Sequence, residues 1–477
     1  MPNSLNLILA GIYYVIVVLA IIHVIMDNRQ PAKTMAWALV IWFVPVVGIV
    51  LYLFFGRNTR RERLVSQRQL DQLSKRSMLA FVEQQNLSLP EQHKSLIDLF
   101  INESFSLPFK DSTIDIFTDG YQFFPALLHE IAQARHHIHI DMYIIEDDAL
   151  GRLISDALIS RARCGVEVRV IYDDVGCWSV KNRFFERLRE EGIEAVTFLP
   201  VRFPSFTSKV NYRNHRKLIV IDGQTGFIGG MNMALRYVSE QWRDTMLRVK
   251  GPAVYSLQRA FLIDWYFVDR TLLSDRKYYP QPAVLPYKHP TPQAKCLFQT
   301  VTSSPVSPYP EIMQGYIRMI LSARNYIYIE TPYFLPNEPV LFALKTAAAS
   351  GVSVHILVPF KNDSWFVEWA GRSYLREVQE AGITVSLYMA GFLHSKLMVI
   401  DDAVCTCGST NVDFRSFENN FEANAFIYGE DAAIRMRNVF LDDIIRSIPL
   451  RDRPDRMHPG FFVKLWESLV RLLSPLM

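Results

Sequence analysis

Two apolar runs near the start of the chain stand apart from everything that follows. Residues 7–26 and 35–55 contain no Asp, Glu, Lys or Arg. At about 1.5 Å per residue, a helix of either length spans a hydrocarbon core of about 30 Å. The polar link from Asp27 to Thr34 separates them, so the pattern predicts a two-helix transmembrane hairpin over residues 1–56. A signal peptide is the competing reading, but its basic flank precedes the apolar run, and residues 1–6 carry no Lys or Arg. Residues 57–110 read as a basic juxtamembrane helical linker. Arg57, Arg60, Arg61, Arg63, Arg68, Lys75 and Arg76 follow the second run, against only Arg29 and Lys33 in the link. The positive-inside rule then puts both the N-terminus and the large C-terminal part in the cytoplasm, with those cations facing an anionic leaflet.

Beyond about residue 110 the pattern becomes α/β: short Val/Ile-rich runs alternate with longer helical stretches. It also repeats. Residues 134–141 (ARHHIHID) match 323–330 (ARNYIYIE), Gly165-Val166 begins a run matched from Gly351-Val352, and Gly192-Ile193 matches Gly382-Ile383. The offsets of 189, 186 and 190 are nearly constant. So long a unit predicts two similar lobes, 111–285 and 286–450, rather than a repeat array. The Pro-rich stretch 279–292 is the candidate linker. In residues 451–477, Phe462, Leu465, Trp466, Leu469, Leu472, Leu473 and Leu476 recur at helical spacing, with Lys464, Glu467 and Arg471 on the other side. This is an amphipathic segment suited to a membrane interface, or to packing on the body.

Composition narrows the classes. Hydrophobic residues make up 50% of the 477 positions, which excludes a disordered chain. A net charge of +3 is too balanced for a binder that relies on bulk charge. The 51 basic residues are 15 Lys and 36 Arg, and Arg suits bidentate phosphate contact without proving it. Five cysteines make no disulfide framework. Cys405 and Cys407 lack a second pair at zinc spacing and read as strand packing.

The repeat extends into its most informative residues. The first copy has His215, Lys217 and Asp222, then Gly229, Gly230 and Asn232; the second has His394, Lys396 and Asp401, then Gly408, Ser409 and Asn411. In both, Lys stands at His+2, Asp at His+7, Gly at His+14 and Asn at His+17. On a strand, His and Lys project from one face. Neutral imidazole beside an ammonium suits an encounter with a phosphate, whose oxygens Lys and Asn can serve as donors. Asp at +7 would lie about 23 Å along an ideal strand, so a turn-fixing role fits it better than orienting its own His. Asp244 (His215+29) and Glu422 (His394+28) are the better histidine-orienting candidates, with surface ion pairing as their alternative. Two facing lobes would bring two His, two Lys and two Asn to one cleft. That set suits phosphodiester exchange, in which one imidazole attacks and the other donates a proton.

The duplicated H-x-K-x4-D-x6-G-[GS]-x-N pattern resembles the phospholipase D superfamily. Residues 29–37 (RQPAKTMAW), 332–334 (PYF) and 359–364 (PFKNDS) resemble its bacterial cardiolipin synthase branch. The resemblance implies two phospholipase D-like lobes forming one pseudo-twofold active site. It also implies a phosphatidyl-histidine intermediate, no metal and no cofactor. The reaction would join two phosphatidylglycerol molecules into cardiolipin and release glycerol, in the bacterial cell membrane with anionic lipids as partners. Carried over, the catalytic set is His215, Lys217, Asp222, His394, Lys396 and Asp401, with Asn232 and Asn411 on phosphate. His215 is the nucleophile by resemblance only; the residues themselves leave the two histidines interchangeable. Gly230 stands where many members have Ser, as Ser409 does, and is expected to shift one phosphate contact without altering the chemistry. The same residues would serve hydrolysis or another acceptor alcohol. A nuclease would need a concentrated basic groove and no hairpin, the reverse of this chain, so no nucleic-acid partner is expected.

Overall fold

The computed structural model describes residues 2–27, 31–56, 89–201, 211–273, 275–279, 295–472 and 474. The strands Phe109–Phe117 and Cys296–Ser303 lie antiparallel, Phe109 opposite Phe298, and join two half-sheets into one continuous sheet. Outward from this seam, each half repeats the same order. In the first lobe the strands run Phe109–Phe117, Met246–Lys250, Thr225–Gly229, Lys217–Ile221, His137–Met142, Glu167–Asp173 and Glu194–Phe198. In the second they run Cys296–Ser303, Asn420–Tyr428, Val404–Gly408, Leu397–Ile400, Tyr326–Glu330, Ser353–Pro359 and Thr384–Tyr388, with Ser447–Pro449 at the far edge. The duplication read from sequence is thus a duplication of sheet order.

Three neighbouring strands in each lobe, His137–Met142 to Glu194–Phe198 and Tyr326–Glu330 to Thr384–Tyr388, are parallel and are linked by crossover helices: Ala149–Arg163 and Asn182–Glu190 in the first lobe, Glu338–Ala349 and Trp365–Glu380 in the second. Several of these strands alternate strictly, HIHI in the first lobe and YIYI in the second, so that Ile138 and Ile140 enter one lobe's core and Ile327 and Ile329 the other's. The repeated glycines have a matching cause. Gly165, Gly192, Gly351 and Gly382 all take φ between +82° and +89° just past a crossover helix. The next residue's N–H returns to a carbonyl in the last helical turn, as from Val166 to Arg161 and from Ile383 to Val378, and only glycine takes this left-handed cap without strain. One apolar core crosses the seam, holding Phe109 and Leu218 of one lobe with Phe298, Leu397, Cys405 and Cys407 of the other. The two cysteines are buried, free thiols on one strand.

The structure adds detail to the chain's two ends and to the stretch between hairpin and first lobe. Helix Pro2–Asp27 contains an apolar stretch, 8–27, long enough to cross a membrane. The second apolar run is broken into Pro31–Phe43, Pro45–Leu51 and a π-helical end, Tyr52–Gly56. Pro45 has no N–H to give the preceding turn, and Val44 leaves helical geometry at φ −135°. Helical bonds resume on both sides, from Val44 N–H to Val40 and from Gly48 N–H to Val44, so the run bends rather than stops. Tyr52 closes the hairpin, donating to Asp27 at 3.0 Å. Within the stretch read as linker, Lys94–Ser104 is a helix seated in the core of the second lobe through Leu96, Ile97 and Phe100. The juxtamembrane cations and most of the Pro-rich stretch fall outside the described residues. Finally, the helix Phe461–Arg471 packs on Trp365–Glu380, but not by its apolar face.

Candidate active site

Two short cross-lobe pairings build the site. Arg213–Asn214, just before His215, runs parallel to Asn420–Phe421 of the other lobe. Phe392–Leu393, just before His394, runs parallel to Trp242–Arg243. His215 N–H then donates to Phe421 C=O at 2.9 Å, and His394 N–H to Arg243 C=O at 2.7 Å. Each histidine therefore lies beside the carboxylate that follows the opposite strand. Nδ1 of His215 lies 3.0 and 3.1 Å from the Glu422 oxygens, and Nδ1 of His394 lies 2.6 Å from Asp244. Sequence counting had attached Asp244 and Glu422 to the histidines of their own copies; the structure exchanges them. A carboxylate on Nδ1 makes that nitrogen the protonated one and leaves Nε2 for chemistry.

Both imidazoles reach one cavity of about 350 Å³, whose wall also carries Asn232 and Asn411. Asn232 is braced by the Ile144 N–H at 3.1 Å and by Tyr237 Oη at 2.5 Å. Lys217 and Lys396 are buried immediately behind the histidines. Lys217 donates to the His215 carbonyl at 2.7 Å, and Lys396 to the His394 carbonyl. Tyr143 stands edge-on to His215 and Tyr333 edge-on to His394.

Burial dominates the electrostatics. It lowers His215 to about 4 and His394 to about 3, with the nearby ammonium groups adding to the fall and the carboxylates opposing it. Burial also takes Lys217 down to about 7 and lowers Lys396. It pushes Asp244 and Glu422 upward, but facing Lys and His outweigh it and hold both carboxyls below their ordinary range. Both orienting carboxylates are thus ionised and both imidazoles neutral, and Lys217 stands close to losing its charge. An arriving phosphodiester anion favours the charged form of these bases.

Asp222 and Asp401 lie elsewhere. Each ends its strand in a left-handed turn, at φ +54° and +53°. The Asp222 carboxylate accepts the N–H groups of Arg135, His136 and His137 at 2.8–3.0 Å. Asp401 accepts those of Arg324, Asn325 and Tyr326 at 2.6–2.9 Å. They tie the two ARxx repeats to the motif strands and do not line the cavity. The Gly/Ser difference also has another location. Ser409 Oγ donates to Glu422, while a Cβ on Gly230 would stand 2.1 Å from an Asp244 oxygen. It therefore bears on the orienting carboxylates, not on a phosphate contact.

Sequence reading missed Arg236 and Arg415, which both line the cavity. The signal was present: each stands at His+21, four residues after the motif Asn. Among the described residues, no group of three or more His, Cys, Asp or Glu is placed to hold a metal ion.

The pattern of the family described as "Cardiolipin synthase, PLD-like domain" matches residues 127–265 and 316–444, and that of "Phospholipase_D-nuclease N-terminal" matches 15–57. The major cardiolipin synthase ClsA of Bacillus subtilis is 36% identical, covering 99% of this chain and 100% of its own length. A cardiolipin synthase of Oceanobacillus iheyensis is 38% identical over 98% and 99% of the two chains. Among solved structures, a phosphatidylserine synthase of Haemophilus influenzae superposes with a TM-score of 0.59 at 14% identity, covering 80% of this chain and all of that one, a likeness of fold.

Proposed function

The chain belongs to the cardiolipin synthase family of phospholipase D-like enzymes, and from that premise we propose how its site makes cardiolipin. The observation that carries the proposal is the exchanged pairing, which puts two Nε2 atoms in one cavity with their Nδ1 atoms held by carboxylates.

A phosphatidylglycerol enters with its phosphate against the Lys217 and Lys396 ammonium groups and the Asn232 and Asn411 amides. Nε2 of His215 attacks phosphorus while Nε2–H of His394 gives its proton to the departing glycerol oxygen. The P–O bond to glycerol breaks, a P–N bond forms, and Glu422 steadies the positive charge on the ring. His394, now neutral, takes the proton from a head-group hydroxyl of a second phosphatidylglycerol. That oxygen attacks phosphorus, the P–N bond breaks, and cardiolipin leaves. Burial keeps His394 neutral, so its first proton arrives with the anionic substrate, whose charge opposes that penalty.

The enzyme is associated with the membrane through its apolar N-terminal helix. In the proposed topology the bent second run also spans, and both lobes face the anionic cytoplasmic leaflet. The acceptor is a lipid alcohol rather than water, held at high effective molarity. Labelled phosphatidylglycerol given to purified enzyme in bilayers tests this. It should yield cardiolipin and free glycerol; phosphatidic acid as the main product would identify a hydrolase.

A further inference from the structure

The C-terminal helix is mounted with its polar side inward. Glu467, 1% exposed, pairs with Arg376 at 2.6 Å, and Arg471 pairs with Glu377 at 2.6 Å while lying over the Tyr374 ring. Val470 is buried beside them. Phe461, Phe462, Leu465, Trp466, Leu469 and Leu472 face outward, Phe462 at 82% and Leu472 at 74% exposure. At 3.6 residues per turn these six fall within an arc of about 140°. A surface helix ordinarily buries such a stripe and leaves its charges in water. Here specific ion pairs hold it the other way round.

The stripe does not end with the helix. Trp466 meets Trp365 with ring centroids 5.9 Å apart, and Trp365 and Phe366 are themselves exposed. They sit between Ser364 and Val367, which line the catalytic cavity. One apolar surface therefore runs from the C-terminal helix to the mouth of the site. Beside it, Arg451 and Arg453 pair with Asp452 and Asp455, and Arg456 and Arg471 pair with Glu368 and Glu377, while Arg446 and Lys464 are exposed cations. An apolar stripe with aromatic residues and flanking cations fits the interface of an anionic bilayer.

We propose that the outward face of the C-terminal helix, continued by Trp365 and Phe366, is a second membrane contact that seats the mouth of the active site in the lipid interface. The proposal deepens the reading above, since it supplies the route by which a two-chain lipid reaches a buried histidine pair. It rests on that reading for its membrane setting, but a depth measurement needs no turnover, so the two can fail separately.

The test uses the full chain with Cys164→Ser, which removes the exposed thiol, reconstituted in vesicles of phosphatidylcholine and phosphatidylglycerol. Bimane is attached at Leu465→Cys or, as control, at Leu321→Cys. Leu321 is exposed and precedes the start of strand Tyr326–Glu330, at the end of the sheet away from the site. Bimane at 465 should be quenched by lipids carrying a shallow quencher and shielded from aqueous iodide, with the reverse at 321. Equal iodide access at both positions overturns the proposal. So does shielding that grows with the protein-to-lipid ratio, because a second copy would then be the occupant. As an independent measure, Phe462→Ser, Leu465→Ser and Leu469→Ser together should raise several-fold the surface phosphatidylglycerol needed for half-maximal rate in bilayers. Turnover of detergent-dispersed lipid should stay unchanged; an equal loss in both assays would make the helix merely structural and overturn the proposal.

Discussion

The Glu422 carboxylate holds Nδ1 of His215 from the opposite lobe, at 3.0 and 3.1 Å. Asp244 does the same for His394 in the other direction. Neither lobe alone contains a complete histidine–carboxylate pair, so the catalytic unit is the joined sheet rather than the repeat. Exchange follows from backbone register: each histidine is preceded by two residues paired with the strand that leads into the other lobe's carboxylate.

The first prediction follows from that exchange. Glu422→Gln removes the acceptor that fixes the His215 tautomer, and kcat should fall on the order of 10²–10⁴-fold, by analogy with neutralising the carboxylate of a hydrolase triad. Because the proposed mechanism uses His215 in its first step, rapid-quench kinetics should show slow formation of the phosphatidyl-enzyme. Asp244→Asn should also slow its discharge to the acceptor. Identical kinetic defects in the two variants would contradict separate roles.

The two motif aspartates should behave as structural residues. Asp222→Ala and Asp401→Ala each strip the acceptor from three backbone N–H groups. Each should lower stability by about 0.5–1.5 kcal/mol per lost bond, since most of the freed N–H groups are open to water. Thermal unfolding should record that loss, while the folded fraction keeps most of its specific activity.

Much of this architecture was legible in the sequence because duplication makes spacing informative. Matching glycines marked the helix ends, matching His and Asn marked the cavity wall, and matching Lys marked the charges buried behind it. The exchanged carboxylates were legible as residues but not as pairs, since offsets along one copy carry no information about contact with the other. Pro45 lay in plain view inside an otherwise unbroken apolar run, and hydropathy alone hides such a bend. The outward stripe of the C-terminal helix was visible as amphipathicity; its orientation required Arg376 and Glu377, far away in sequence.

Ser409 and Gly230 offer a third prediction. Ser409→Gly deletes a hydrogen bond to a buried carboxylate, a loss worth about 1.5–3 kcal/mol. It should slow the His215 step more than it alters lipid affinity. Gly230→Ser should be worse tolerated, because its Cβ meets Asp244. Comparing kcat, apparent KM and thermal stability for both variants checks the asymmetry.

The fourth prediction concerns protons. His215 near 4, His394 near 3 and Lys217 near 7 are all depressed by burial. An arriving anion raises depressed cationic groups, so binding at pH 7 must take protons up, not release them. Calorimetry of a short-chain phosphatidylglycerol in buffers of different ionisation heat should give a net uptake of about one proton. The uptake should shrink below pH 4, where His215 and His394 are increasingly protonated beforehand.

In the proposed mechanism a phosphatidyl group passes through His215 on its way to a second lipid. Single-turnover reaction with labelled phosphatidylglycerol, quenched in base and mapped by mass spectrometry, tests it most directly. The phosphatidyl mass should appear on the peptide containing His215 and discharge into cardiolipin when unlabelled phosphatidylglycerol is added. Full cardiolipin production with no adduct at any time, or an adduct on His394 instead, would contradict it.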